Sequence, residues 1–289
     1  MVEAARRIDA SREAAALFYK IPKLNRRRGM TQPLTTTKNN DIGMATPYPK
    51  HYEEKHSIVR ELFIATADDN YIAARWCFHE NLNVDFFWLA VHCLEKYLKA
   101  VLLLNGRSSL GYQHEIIELF GEIKKFASDL LPVTLTRPPD MPAEMWQEEM
   151  IDEFIKRLYL DGQAHNRYQL FGYVRRPGDL WKLDQVVFAV RRLCEPLDTS
   201  IFERENSSTY RELLLRQPKR WTLQSKLEET FEGKRGDTLK HAFLNRNFPF
   251  APDDYVHFAD HDVQFRITKS GAGPEIVRAA GKIIEFRSC

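Results

Sequence analysis

The run Val84-Asp-Phe-Phe-Trp-Leu-Ala-Val-His-Cys-Leu-Glu-Lys-Tyr-Leu-Lys-Ala-Val-Leu-Leu-Leu-Asn105 decides the fold. Phe86, Phe87, Leu89, Val91, Leu94, Leu98, Val101, Leu102 and Leu104 make a helix here apolar on most of its circumference. A helix of that kind lies in the middle of a bundle. Asn105-Gly106 ends it with a strong C-cap signal. The polar exceptions are Asp85, His92, Glu95, Lys96 and Lys99. The last four are spaced three or four apart and share one narrow stripe, with Glu95 preceding Lys99 in the favourable order for a helical ion pair. One reading makes the stripe a solvated edge of the bundle. The other sets Lys96 or Lys99 against a phosphate at a groove rim, with His92 nearby.

Working outward, helical spacing predicts further helices over 58–80, 115–131, 143–161 and 179–195. They are separated by Asn81 to Asn83, by the proline-rich loop from Pro132 to Pro142, by Asp161-Gly162, and closed by Pro196. The expected fold is therefore mainly α: an up-down bundle of about five helices spanning 51–198. Residues 1–50 read as a partly helical or flexible lead-in. Within it, the basic 1–29 stretch has two open readings: a weak amphipathic helix from Ala4 to Tyr19, or an over-extended start with Met30 or Met44 as the first residue. Glu3, Asp9 and Glu13 oppose a transit peptide. Residues 199–289 read as a small α+β extension, with one or two short helices in 208–232. Strand-like composition is expected at 255–258, 263–268 and 282–286, and helical turns from Pro274 to Ala280.

Composition bounds the function. The chain has 289 residues, 44% hydrophobic and 28% charged, with a net charge of +2. Its core can be sizeable, and any nucleic-acid affinity must come from a local patch. Cys77, Cys93, Cys194 and Cys289 form no C-x-x-C pair, which suits reduced thiols and a cytoplasmic location. The longest apolar run, Phe86 to Val91, falls far short of the roughly 20 residues that a membrane span requires. No phosphate-binding P-loop, nucleophile elbow or dinucleotide-binding glycine pattern occurs. His257, Asp260 and His261, downstream of Asp253-Asp254, make at most a weak metal set, because two His four apart along a strand lie roughly 13 Å from each other. No metal and no cofactor is expected.

The segment Phe86 to Leu103, with Glu95-Lys96-Tyr97-Leu98-Lys99-Ala100 at its centre, then Gly106 and His114-Glu-Ile-Ile-Glu-Leu119, resembles the core signature of HEPN domains. Ala67-Asp68-Asp69 and Ala73-Ala74 resemble the first helix of that family, and Arg167-Tyr168 an R-Y pair that follows its fourth helix. The resemblance covers about half of the chain. It implies a dimeric helical bundle, and the large side chains Trp76, Phe78, Phe87 and Trp88 read as apolar surplus for a dimer seam. It also implies one of two functional classes. One binds nucleotides or partner proteins. The other is a metal-independent ribonuclease using an R-x(4–6)-H motif.

That chemistry is sound. An imidazole can move the 2′-hydroxyl proton, and a guanidinium can fork onto a phosphate. Arg107 and His114 match the motif letters with six residues between, but they lie in the loop between the second and third helices rather than later in the bundle. Arg235 and His241 match with five between, outside the bundle. His114 also reads as a helix N-terminal cap or groove-lining residue. The loop Gly162-Gln-Ala-His165-Asn-Arg167-Tyr168, with Arg175-Arg176-Pro177-Gly178, is a second candidate cleft wall. Its Arg167, Arg175 and Arg176 are candidate phosphate contacts. Lys219-Arg220-Trp221 sets charge beside an aromatic ring. The expected ligand set is thus Lys96, Lys99, His114, His165, Arg167, Arg175 and Arg176, with His114, Arg107 and His165 as catalytic candidates. The expected function is binding of nucleotide or RNA phosphate groups without strong catalysis. An endoribonuclease of the toxin or antiviral type, or a protein-interaction module, is the alternative.

Overall fold

The structure, a computed structural model, describes residues 52–139, 141–168, 172–200, 207–219, 226–233 and 235–250, together with three short strands near the C-terminus. The backbone alone is described for the strands and for His165 and Arg167.

The first two helical segments run as one rod. α1 (Tyr52–Val59) passes through a π turn (Arg60–Ile64) into α2 (Ala65–His79) without leaving helical backbone angles. Asn81, at φ +60°, turns the chain back into α3 (Asn83–Leu104), the decisive stretch. Phe86, Phe87, Ala90, Cys93, Leu94, Tyr97 and Val101 on α3 have essentially no exposure. The helix packs against α1, α2, α4 (Ile116–Ala127), α5 (Ile151–Asp161) and α6 (Asp179–Arg191). A helix apolar all round has only one stable place, the axis of the bundle, and α3 occupies it. Gly162, which ends α5, sits so close that a Cβ there would lie 2.5 Å from Phe87 O and from Val91 Cγ2.

The fourth expected helix is shorter than its periodicity suggests. Only Ala143–Met145 and Ile151–Asp161 are helical, the first as a single 3₁₀ turn. The chain between is extended and pairs with the loop after α4: Leu135 N donates to Glu149 O and Ile151 N to Val133 O. The Met150 N–H donates to Glu153 Oε2 at 3.0 Å, which starts the helix late.

Beyond residue 198, several described residues still join the bundle core. α7 (Tyr210–Arg216), α8 (Lys226–Phe231) and α9 (Asp237–Leu244) bury Leu214, Leu227, Phe243 and Leu244 in the same core as the bundle. Phe250 joins them, tilted on Tyr71 with ring centroids 5.6 Å apart.

Farther on, β1 (Val263–Ile267) pairs antiparallel with β2 (Glu275–Arg278) and parallel with β3 (Arg287–Ser288). The helical turns expected at 274–280 are thus a strand at Glu275–Arg278, where pairing with β1 overrides the proline start signal. The rest of 251–289 lies outside the described residues, with the strands expected at 255–258 and 282–286 and the His257/His261 metal set. So do Arg220, Trp221 and the N-terminal readings. Among the described residues no helix is long and apolar enough to cross a membrane, and no group of His, Cys, Asp and Glu could hold a metal ion.

Candidate functional site

Three sets of charges are buried between the helices. Asp184 on α6 and Arg75 on α2 form a fully buried ion pair. Arg75 also donates to Ala242 O at 3.0 Å and to Asn245 O, while Tyr71 Oη donates to Asp184 at 2.7 Å. Burial pushes the Asp184 carboxyl up and Arg75 opposes it. A second set joins Asp68 to Arg191 at 2.9 Å and to the Tyr97 hydroxyl. A third links Glu149 to Arg157 at 2.9 Å and Lys182 at 2.6 Å, and Arg157 to Asp179 at 2.7 Å. Burial raises the Glu149 carboxyl, but hydrogen bonds from Arg157 and Lys182 outweigh it and hold it at about 2. Each guanidinium in these sets meets carboxylate or carbonyl acceptors, as buried charges must.

The α3 stripe behaves differently. Glu95 is 6% exposed, while His92, Lys96 and Lys99 on the same stripe are half-buried. Its carboxylate accepts from Lys99 Nζ at 2.6 Å and from His114 Nδ1 at 3.1 Å, with His92 Nδ1 at 3.5 Å. Burial acts to raise its carboxyl. The hydrogen bonds from His92, Lys99 and His114 prevail and bring it to about 2. Lys99 is further held by Gln113 O at 2.5 Å. Gln113 adopts φ +42°, which delivers His114 to the cluster just before Glu115 caps α4. His114 itself is therefore not the cap. Its side chain is 76% exposed while Glu95 beneath it is almost buried. The His92 and His114 rings lie 6.3 Å apart, and the Trp88 ring meets His92 edge-on at 4.0 Å. With Nδ1 held by the carboxylate, the other ring nitrogen of His114 is the one left to act outward.

The remaining candidates are distributed elsewhere. Lys96 leans on α2, with Nζ 3.5 Å from Thr66 O, and burial lowers its pKa. Arg107 stacks on Phe126, its guanidinium carbon 4.3 Å from the ring centroid. Arg235 is bound to Asp69 at 2.7 Å. Arg175 donates to Asn81 at 2.6 Å and Asn83 at 3.1 Å, and lies over Phe78. Arg176 reaches Glu149 at 3.4 Å. His165 and Arg167 sit in the 3₁₀ turn Ala164–Tyr168, and their side chains lie outside the described residues. Of the supposed apolar surplus, Phe78 and Phe87 are wholly buried within one chain.

The i to i+4 order pairs Glu95 with Lys99 in the sequence, but nothing there shows that Glu95 also anchors His114. The arrival of His114 from another element was not encoded in any spacing.

An all-helical bundle whose axial helix presents a carboxylate, an ammonium and two imidazoles at the mouth of the next loop defines the class. The model of the HEPN domain family matches residues 60–166, from the π turn to the 3₁₀ turn after α5, and this stretch is a HEPN domain. No curated protein and no solved structure matches the chain.

Proposed function

We propose that this protein binds phosphate groups of a nucleotide or RNA at the edge formed by His92, Lys99 and His114. The observation that carries the reading is the gathering of all three side chains on Glu95. The carboxylate fixes Lys99 and the two imidazoles in one place, where their N–H groups can meet a phosphate. Trp88 against His92 adds an aromatic face on which a base can stack. The family resemblance supports the same ligand class, and with it a homodimer. A cytoplasmic location is the compatible setting.

A second reading has one observation in its favour. A carboxylate holding Nδ1 of an exposed histidine is the arrangement that orients a general acid and base. It would make the protein a metal-independent endoribonuclease. Arg107, the expected partner, stacks on Phe126, so binding without strong catalysis is the preferred conclusion.

The test is fluorescence anisotropy with a labelled oligoribonucleotide in EDTA, at several salt concentrations. Binding should weaken steeply with salt, and Lys99→Ala should weaken it at every salt. Binding that ignores both salt and Lys99 would sink the reading. Strand cleavage in the same tubes, lost in His114→Ala, would replace it with the ribonuclease.

A further inference from the structure

On the opposite side of the charge ledger, Arg192 is a buried cation with no carboxylate partner among the described residues. It follows α6 and is 9% exposed. Its guanidinium donates to Pro218 O and, at 3.1 Å, to Leu130 O, and lies 5.4 Å from the Phe188 ring centroid. Its Nε has no acceptor. Among the described residues no Asp or Glu pairs with it. Burial accordingly pulls its pKa down, against which only Tyr210 acts. Every other buried arginine described above is met by a carboxylate. A guanidinium held by carbonyls alone retains most of its charge uncompensated.

This cation lines a cavity of about 340 Å³ between the 3₁₀ turn Ser128–Leu130, α6 and α7. The walls are otherwise largely apolar, with Leu131, Phe188 and Leu214 prominent. The lining carboxylate, Asp129, is already bound by Arg211 at 2.6 Å, so it does not cancel Arg192. An apolar space of this size with one fixed charge suits a small ligand with an apolar body and a single opposite charge.

We propose that this cavity binds a small amphipathic carboxylate, such as a medium-chain fatty acid, with its acid group facing Arg192 and its chain against Leu131, Phe188 and Leu214. The site is separate from the Glu95 cluster and does not rest on the nucleotide reading. A carboxylate here supplies the counter-charge the guanidinium lacks, and its chain packs on Leu131, Phe188 and Leu214. Leu215, 54% exposed on α7, stands at the rim.

The experiment is calorimetric titration of the full-length protein with octanoate and, separately, with 1-octanol. Octanoate should bind saturably and about tenfold or more tightly than octanol. Arg192→Met should erase that preference. Because that variant also strips two carbonyls of their donor, Leu215→Glu is the companion, an exposed change that leaves Arg192 and its bonds alone. It should weaken octanoate by about tenfold while leaving octanol nearly unchanged, with an unaltered melting temperature as the folding control. Equal binding of acid and alcohol by the wild-type chain, absence of saturable octanoate binding, or indifference of octanoate to Leu215→Glu would each overturn the proposal.

Discussion

Asp68 and Asp184 are fully buried carboxylates whose ionic partners, Arg191 and Arg75, are buried with them. Glu95 is nearly as buried, yet one of its partners, His114, stands 76% exposed. The residue types are similar; the exposure of the partner differs. In the first case both charges are committed to one another and to backbone, so the pair fixes helix register and ties 237–250 to α2. In the second, the buried carboxylate acts as a mount for a group that still faces solvent. Burial of an ion pair alone thus says little about function, whereas a buried anion under an exposed base marks a place where chemistry or recognition can occur.

Breaking the buried side of that contrast should have the largest effect. Asp184→Ala leaves Arg75 without its counter-charge inside the core and should cost about 3–5 kcal/mol in urea unfolding. Loss of α9 docking should accompany it, because Arg75 also holds Ala242 and Asn245. A cost under about 1 kcal/mol would show that the pair is not a structural anchor.

The next effect is a pH dependence with two opposing parts. Glu95 titrates at about 2 in the folded chain against an ordinary 4.5. Its contribution is complete above pH 4.5 and is lost as the pH falls toward 2. That contribution is on the order of 2–3 kcal/mol, and Glu95→Gln should remove this acid limb. Asp161 has the other sign. Burial, reinforced by Asp179 and opposed by Arg157, raises it from 3.8 to about 6. Its contribution is complete below pH 3.8 and is lost as the pH rises through 6. Asp161→Asn should therefore flatten the stability profile between pH 4 and 6, measured by denaturant unfolding at each pH. An unchanged profile in both variants would contradict the assigned environments.

The smallest stability effect belongs to the exposed partner. His114→Ala should change unfolding free energy by no more than about 0.5 kcal/mol, while lowering affinity for an oligoribonucleotide severalfold. The reverse pattern, a large stability loss with intact binding, would make His114 a structural residue like Arg191.

How much of this was legible before folding follows from the same contrast. α3 announced itself because Phe86, Phe87, Leu94, Leu98 and Val101 leave almost no polar face. The break at Asn81 to Asn83 and the end of α5 at Asp161-Gly162 were equally plain, whereas α6 stops at Arg191, four residues short of the expected end. The segment 146–150 was not, since its extended course depends on pairing with 133–135 rather than on its own periodicity. Nor was α9. It is a short helix whose place is set by Arg75, some 167 residues away in sequence from Ala242.

The buried charges were invisible for a related reason. Asp68, Lys182, Asp184 and Arg191 read as polar positions in a helical pattern, and only the tertiary meeting of opposite charges makes them core. At the candidate site, Lys99 could be named from spacing and His114 from the family signature. Their union on Glu95 depended on loop geometry at Gln113, and the stacking of Arg107 on Phe126 and of Arg175 on Phe78 depended on tertiary packing.

The most direct test of the central claim is imidazole NMR during titration with an oligoribonucleotide. His92 and His114 should shift together and saturably. His56, bound to Glu195 at 3.0 Å, and His241 on α9 should stay still. Shifts at His56 or His241 with none at His92 and His114 would contradict the assignment of the Glu95 cluster as the phosphate-binding edge.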